Sequence, residues 1–402
     1  MNSSTRSNVE HRAVLIRARV ATSLLFLLFG TALGTWTSRI PAVKAGLGVD
    51  DGGLSIALLA FAVGAILGMV VLGRLVDRFG STRVMVPTAV LEGLLLIPPA
   101  FVPSLPTLVV ALLAFGAVHG TLNIAMNANA IEVQRTMGRP IMSSFHAVYS
   151  IGGFLGAGIG GLFAQAEFSA GTTFIVTGGL VLVLAVWATL WALPASVRTP
   201  VERPETRADQ PRRTFRQRYD LLLLGVLAMF ALVGEGTAAD WSAVYLRDNL
   251  HTTAGFAASA FAAFSIMMTA GRLVGDRLVA WLGPVLLVRI SGIVASVGMT
   301  AALLVNQPVA AVIGFGCLGA GMSCIAPQVY SAAGNRDPAR AGQALSQVVS
   351  MGYAGFLIGP ILIGGASTIV GLPQALGIPS LLVLLVAVGA FALRPVPSTT
   401  EH

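Results

Sequence analysis

The chain has 402 residues, 55% of them hydrophobic and only 10% charged, with a mean hydropathy of +0.82. A soluble domain carries about 25% charged residues, so this composition excludes a water-soluble globular protein. The formal charge of +8 does not mark a nucleic-acid binder, because the arginines stand between apolar runs and form no basic surface with interleaved aromatics.

In chain order, Arg12, Arg17 and Arg19 precede "VATSLLFLLFG" and imitate a signal peptide. No clean small-residue cleavage site follows, and "TWTSRIP" continues the run, so the pattern predicts a retained first membrane helix. Apolar runs of about 20 residues, the length a bilayer core requires, then recur. They predict twelve spans near 18–37, 52–74, 84–103, 107–131, 142–165, 171–193, 220–246, 254–274, 286–305, 308–333, 343–367 and 371–393. Residues 195–218, "PASVRTPVERPETRADQPRRTFRQ", are polar and rich in Pro and Arg, and read as a linker between an N-terminal bundle (1–194) and a C-terminal bundle (219–402). The two cysteines, Cys317 and Cys324, lie in one apolar run on one helical face, and read as packing residues rather than a disulfide or a metal pair.

With the N-terminus inside, 22 of the 25 basic residues fall in inner segments, and only Arg39, Lys44 and Arg247 fall outside. The asymmetry predicts an even number of spans and two cytoplasmic termini. The halves also repeat. "GRLVDRFG" at Gly73 is matched by "GRLVGDRL" at Gly271, "SIGGFLG" at Ser150 by "SMGYAGFLIG" at Ser350, and "GTALGTW" by "GTAADW". A parallel six-plus-six repeat is the plan of carriers whose substrate site lies at the membrane midplane.

The stretch "GRLVDRFGSTR", Gly73 to Arg83, fits G-x-L-x-D-R-x-G-x-x-R and falls between spans two and three. Gly73 allows two helices to approach closely. Asp77 has the chemistry to pair with a basic residue or to cap a neighbouring helix N-terminus. Gly80 permits a tight turn, and Arg78 and Arg83 mark the inner leaflet. The motif at this place resembles the signature loop of the major facilitator superfamily. The resemblance implies an inner gate formed by Gly73, Asp77, Arg78, Gly80 and Arg83, with a second copy at Gly271, Arg272, Gly275, Asp276 and Arg277. "WTSRIPAVK", "FHAVYSIGGFLGAG", "GEGTAADWS", "GRLVGDR" and "GYAGFLIGP" together look like the bacterial rhizopine-transporter-like (MosC/YbjJ-type) branch of that superfamily. This implies an all-α membrane fold of two six-helix bundles with pseudo-two-fold symmetry, in a bacterial inner membrane, moving a small polar solute. A monomer is usual in the family. One departure is that span four carries His119, Asn123, Asn127 and Asn129 but no acid before Glu132, which speaks against a span-four proton site.

Polar groups inside a membrane are costly and mark a cavity or a partner. Glu235, about 22 Å into span seven, reads as a proton-coupling group or as the ion-pair partner of Arg39. Asp240 reads as a second coupling acid or a wet helix end. Trp36 and Trp241 read as interfacial anchors or as solute-facing walls. Arg39 reads as an outer-gate residue that holds Asp240 or Glu235, or as a solvated loop residue. His119, Asn123 and Asn127 share one face of span four, as a solute path or as helix-to-helix hydrogen bonds, and His119 is also a candidate proton-coupling group. His146 and Tyr149 lie on span five, where His146 has proton-switch chemistry and Tyr149 is a candidate solute ligand. Gln328 on span ten, with Gln347 and Tyr353 on span eleven, are further candidate solute ligands. Glu92 in span three stands isolated and takes no role.

No P-loop, HExxH or nucleophile–base arrangement occurs, so neither an ATP-driven pump nor an enzyme is expected, and no cofactor or metal. Three functions remain open. They are a proton-coupled symporter of a small polar solute such as a sugar or cyclitol, a proton-driven exporter of drugs or metabolites, and a non-transporting sensor. "GFLIGPILIGG" in span eleven resembles the glycine–proline pattern of drug–proton antiporters, which belongs in span five. The span-five stretch "GGFLGAGIGG" lacks the proline, so the match gives export little support.

Overall fold

The computed structural model describes residues 3–191 and 215–395, so most of the predicted 195–218 linker lies outside the described residues. The described chain is helical throughout. Its helices are α1 (Ser3–Leu47), α2 (Asp51–Leu67), α3 (Gly73–Phe79), α4 (Ser81–Leu95), α5 (Leu105–Met137), α6 (Met142–Gln165), α7 (Ala170–Leu190), α8 (Phe215–Val244), α9 (Ala254–Val305), α10 (Pro308–Met322), α11 (Ile325–Arg336), α12 (Ala341–Val370), α13 (Leu372–Ala375) and α14 (Gly377–Gly389). A short π-helical turn, Gly68–Leu72, joins α2 to α3.

Among the described residues, 11 helical stretches are long and apolar enough to cross a bilayer. One of them, Gly255–Val305, has 51 residues. At 1.5 Å per residue it would reach about 77 Å, more than twice the ~30 Å hydrocarbon core. It breaks at Gly283, where φ is 73° and ψ 164°, and Pro284 follows. Positive φ suits glycine, and proline offers no N–H to carry the helix on. α9 is therefore two consecutive spans, and the total among the described residues is the twelve that the apolar runs predict.

Local chemistry sets several helix starts. Asp50 accepts from the Gly53 amide at 2.7 Å, and Ser169 from that of Thr172 at 3.0 Å. Ser104 and Thr107 form a reciprocal capping box ahead of α5. Gly80, at φ 89° and ψ 151°, makes the turn from α3 into α4.

The described chain divides into two units. Unit 1 is Met1–Ile141, Phe145–Arg203 and Ala339–Ser346; unit 2 is Met142–Ser144, Pro204–Pro338 and Gln347–His402. In unit 1 the helices interlock through glycine. A Cβ on Gly64 or Gly68 would overlap the backbone carbonyls of Leu113 or Ala117 in α5, and one on Gly116 or Gly120 those of Phe61 or Ala65. Gly30 and Gly34 of α1 stand in the same relation to Tyr149 and Gly153 of α6, as Gly152 and Gly156 do to Leu27 and Thr31. Small residues four apart let membrane helices pack backbone to backbone. In unit 2, Gly319 meets the Phe264 carbonyl as Gly120 meets that of Ala65, with both members 199 positions further on.

Candidate functional site

The signature-loop acid is a helix cap. Asp77, on α3, accepts hydrogen bonds from the backbone amides of Gly342 at 2.7 Å and Gln343 at 2.9 Å, both at the start of α12. The contact lies inside unit 1, which takes in residues 339–346. A carboxylate on the first-turn amides of a helix satisfies two orphan donors and complements the positive end of the dipole. Glycine fits the tight seat, because a Cβ on Gly342 would lie 2.8 Å from Asp77 Oδ1 and from the Gly73 carbonyl oxygen. Ser346, one turn on, donates to the Met69 carbonyl.

Unit 2 holds the same device. Asp276 accepts from the amides of Ser143 at 2.8 Å and Ser144 at 3.1 Å, at the start of α6. Each of Asp276, Gly342 and Gln343 stands 199 positions from its counterpart among Asp77, Ser143 and Ser144. The glycines of the two loop motifs align at 198 instead, because Gly275 adds one residue before Asp276. The contacts follow the acids. Gly275 gives Ser143 its close approach, since a Cβ there would lie 2.7 Å from Ser143 Cβ. A Cβ on Gly271 would overlap Ser323 Oγ. Arg78, Arg83 and Arg277 are exposed, and Arg78 lies over the Phe79 ring.

The polar face of span four is turned into the interior of unit 1. His119 and Asn127 are buried, at 1% and 0% exposure, and Asn123 is buried with them. Asn127 Nδ2 donates to the Asn123 carbonyl at 2.9 Å, on the same helix. His119 Nδ1 stands 2.6 Å from Oε1 of Glu92 on α4, itself 0% exposed. The Phe29 ring of α1 stacks on the imidazole at 3.8 Å and 12°. Glu92, isolated by the sequence reading, is thus the partner of His119. The acid that span four lacks is supplied by span three. Twenty-seven positions and a change of helix separate the two, so only a three-dimensional register could have paired them. His119 and Asn127 offer a solute no surface here, because both side chains are buried, His119 against Glu92 and Asn127 against its own helix at Asn123. Further along α5, Asn129 accepts from Thr22 at 2.8 Å and donates to Ser81 at 3.3 Å, and Ser81 donates to Glu132 at 3.0 Å.

The remaining candidates divide by exposure. Trp36 is 2% exposed with its ring on Phe174, a core position rather than a wall or an interfacial anchor. Arg39 is not a solvated loop residue. It is 5% exposed within α1, which runs on to Leu47, and donates to the Phe168 carbonyl. His146 is buried with its ring edge to Phe26, while Tyr149 is half-buried, 5.7 Å from the Phe29 ring. In unit 2, Gln328 is buried and donates to Ser143 Oγ at 3.4 Å. Gln347, Tyr353, Trp241 and Glu235 are half-buried, and Asp240 is exposed. The Trp241 indole packs over Gly364 of α12. Within unit 2, Glu235 has no hydrogen-bond or ion-pair partner among the described residues. Both cysteines are free.

Twelve apolar spans, an internal repeat and paired loop acids that cap helices define a multi-pass carrier fold. Residues 22–360 match the family model of the Major Facilitator Superfamily. An uncharacterized MFS-type transporter of Yersinia pestis is 32% identical over 94% of this chain and 96% of its own length. The membrane protein MosC of Rhizobium meliloti is 30% identical over 89% of this chain and 85% of its own. The crystal structure of the E. coli fucose:proton symporter FucP is similar in fold, with a TM-score of 0.75, 18% identity and coverage of 94% of this chain and 98% of that one. The chain belongs to the major facilitator superfamily, as its signature loop implies, and it is a transporter rather than an enzyme.

Proposed function

We propose that this transporter couples the movement of a small polar solute, a sugar or cyclitol, to protons. In this reading it is a monomer in a bacterial inner membrane, with both termini cytoplasmic and the two loop motifs forming the inner gate. The observation that carries the coupling is Glu235. It is a half-buried carboxylate inside an apolar span, without a partner among the described residues of its unit. A carboxylate so placed is tolerated where it meets a polar cavity and gains and loses a proton. Asp240, exposed on the same helix, and the buried His146 are secondary proton groups. A sugar-like solute is supported by the fold shared with a fucose:proton symporter. It is supported too by the side chains that keep accessible surface, among them Tyr149, Trp241, Gln347 and Tyr353, which pair hydrogen-bonding groups with aromatic faces. Arg39 closes the outer gate in this scheme.

The test begins with a thermal-shift screen of the purified protein with sugars and cyclitols beside lipophilic cations, at acidic and neutral pH. A native-state ligand raises the melting temperature with its concentration. Stabilisation by a polyol, followed by uptake of that polyol into proteoliposomes, is the expected result. In the Glu235→Gln variant, accumulation driven by the proton gradient is lost while solute–solute exchange continues. Stabilisation by lipophilic cations alone would replace this reading with the exporter. Undiminished accumulation in Glu235→Gln would remove Glu235 from the coupling.

A further inference from the structure

We propose that Glu92 and His119 together form a proton-binding site buried in unit 1, which takes up one proton and holds it while the site is dry. The inference rests on the proton-coupled reading above and gives the span-four histidine a partner acid, Glu92, on span three.

The argument is one of charge. With Nδ1 and Oε1 at 2.6 Å, one proton must lie between them. If that is the only proton beyond the one on Nε2, two forms carry the same total: imidazolium with carboxylate, or neutral imidazole with carboxylic acid. Both are net neutral. Removing one proton leaves a neutral imidazole on a carboxylate, a net charge of −1. The surroundings do not accommodate that charge. His119 is stacked on Phe29 and flanked by Phe61 at 5.4 Å and Phe115 at 6.1 Å. Glu92 Oε2 and His119 Nε2 are buried without a hydrogen-bond partner.

Among the described residues of α1, α2, α4, α5 and α7, no cation lies close to the pair along its helix. On α1 no titratable residue occurs between Arg19 and Arg39, and Arg39 lies about 15 Å along the helix from Phe29. On α4 the nearest is Arg83, about 14 Å along from Glu92. On α5 none occurs between His119 and Glu132, and Arg135 lies about 24 Å along from His119. α2 beyond its first residue and α7 carry none. From α6, His146 meets Phe26 and Tyr149 meets Phe29, both neutral-capable groups one ring removed from the pair. An isolated buried charge is strongly disfavoured in an apolar site. The dry pair therefore keeps its second proton, and gives it to water only when α4 and α5 admit water to it.

The measurement is infrared difference spectroscopy of the full chain in lipid vesicles, titrated from alkaline to acidic pH. It needs no solute, so its failure is distinct from failure of the solute reading. A protonated-carboxyl or imidazolium band that grows in the unaltered protein and is missing in both Glu92→Gln and His119→Gln supports the site. Spectra of the three proteins that superimpose overturn it. Monodisperse elution and helical circular dichroism check that each variant folds. If the glutamine variants do not fold, Glu92→Asp keeps the carboxyl and alters its reach. A shifted titration midpoint in that variant supports the pair, and an unshifted one overturns it. Once a solute is known, Glu92→Gln should reduce its accumulation to the passive level, and full accumulation would overturn the coupling role.

Discussion

Asp77 and Asp276 each accept two backbone donors from the first turn of a helix distant in sequence. A side-chain cap of this kind contributes about 0.5–2 kcal/mol. Loss of either carboxylate should therefore free only the amides it holds. We expect Asp77→Ala to speed hydrogen exchange at the amides of 342 and 343 by about 5–30-fold, the factor that 1–2 kcal/mol represents, and to leave 143 and 144 unchanged. Asp276→Ala should do the reverse. Hydrogen-exchange mass spectrometry resolves the two, and equal effects at both sites would show that the acids do not act as separate caps. The acids were legible in the sequence because they belong to a local motif. Their partners were not, because backbone amides leave no mark on residue identity. Glu92 and His119 were unreadable as a pair for a related reason. Both side chains were visible, but the register of α4 against α5 that joins them is set by packing.

At the scale of helices, the apolar runs carried most of the fold. Span boundaries follow from hydrophobic length, and the predicted 142–165 coincides with α6. The break at Gly283–Pro284 was legible as the gap between the runs 254–274 and 286–305. What the runs do not show is which glycines are contacts. Gly120 is seated against the Ala65 carbonyl, whereas Gly179 of α7 has open space where a Cβ would be. In the sequence both are glycines within apolar helices. They should respond to alanine in opposite senses. Gly120→Ala forces α2 and α5 apart, at a cost of about 1–3 kcal/mol for overpacking. Gly179→Ala meets nothing and gains up to about 1 kcal/mol of helix propensity. Thermal unfolding in a single detergent should place the first variant below the parent and the second at or above it. Equal melting temperatures would refute the interlocked α2–α5 seam. Gly319→Ala should behave as Gly120→Ala does, since the Phe264 carbonyl occupies the equivalent place.

Over the whole chain, the 199-residue offset recurs in two kinds of contact, the glycine seams and the acid caps. The repeat is therefore one of packing, which is why the sequence matches, found at 198, 200 and 205, scatter around it. α6 begins with residues grouped in unit 2 and continues in unit 1, and α12 begins in unit 1 and continues in unit 2. Each half of the chain thus lends the other the first turn of one helix. Cutting between Arg203 and Pro204 should expose this exchange. Expressed alone, the first half keeps its glycine seams and its Glu92–His119 pair but lacks Asp276, so amides 143 and 144 should exchange rapidly. Expressed alone, the second half lacks Asp77, so amides 342 and 343 should do the same. Co-expressed, the halves should co-purify and recover protection at all four amides. If the isolated first half already protects 143 and 144, the cap on α6 comes from within that half. The reciprocal arrangement would then fail as the reason the two loop motifs recur.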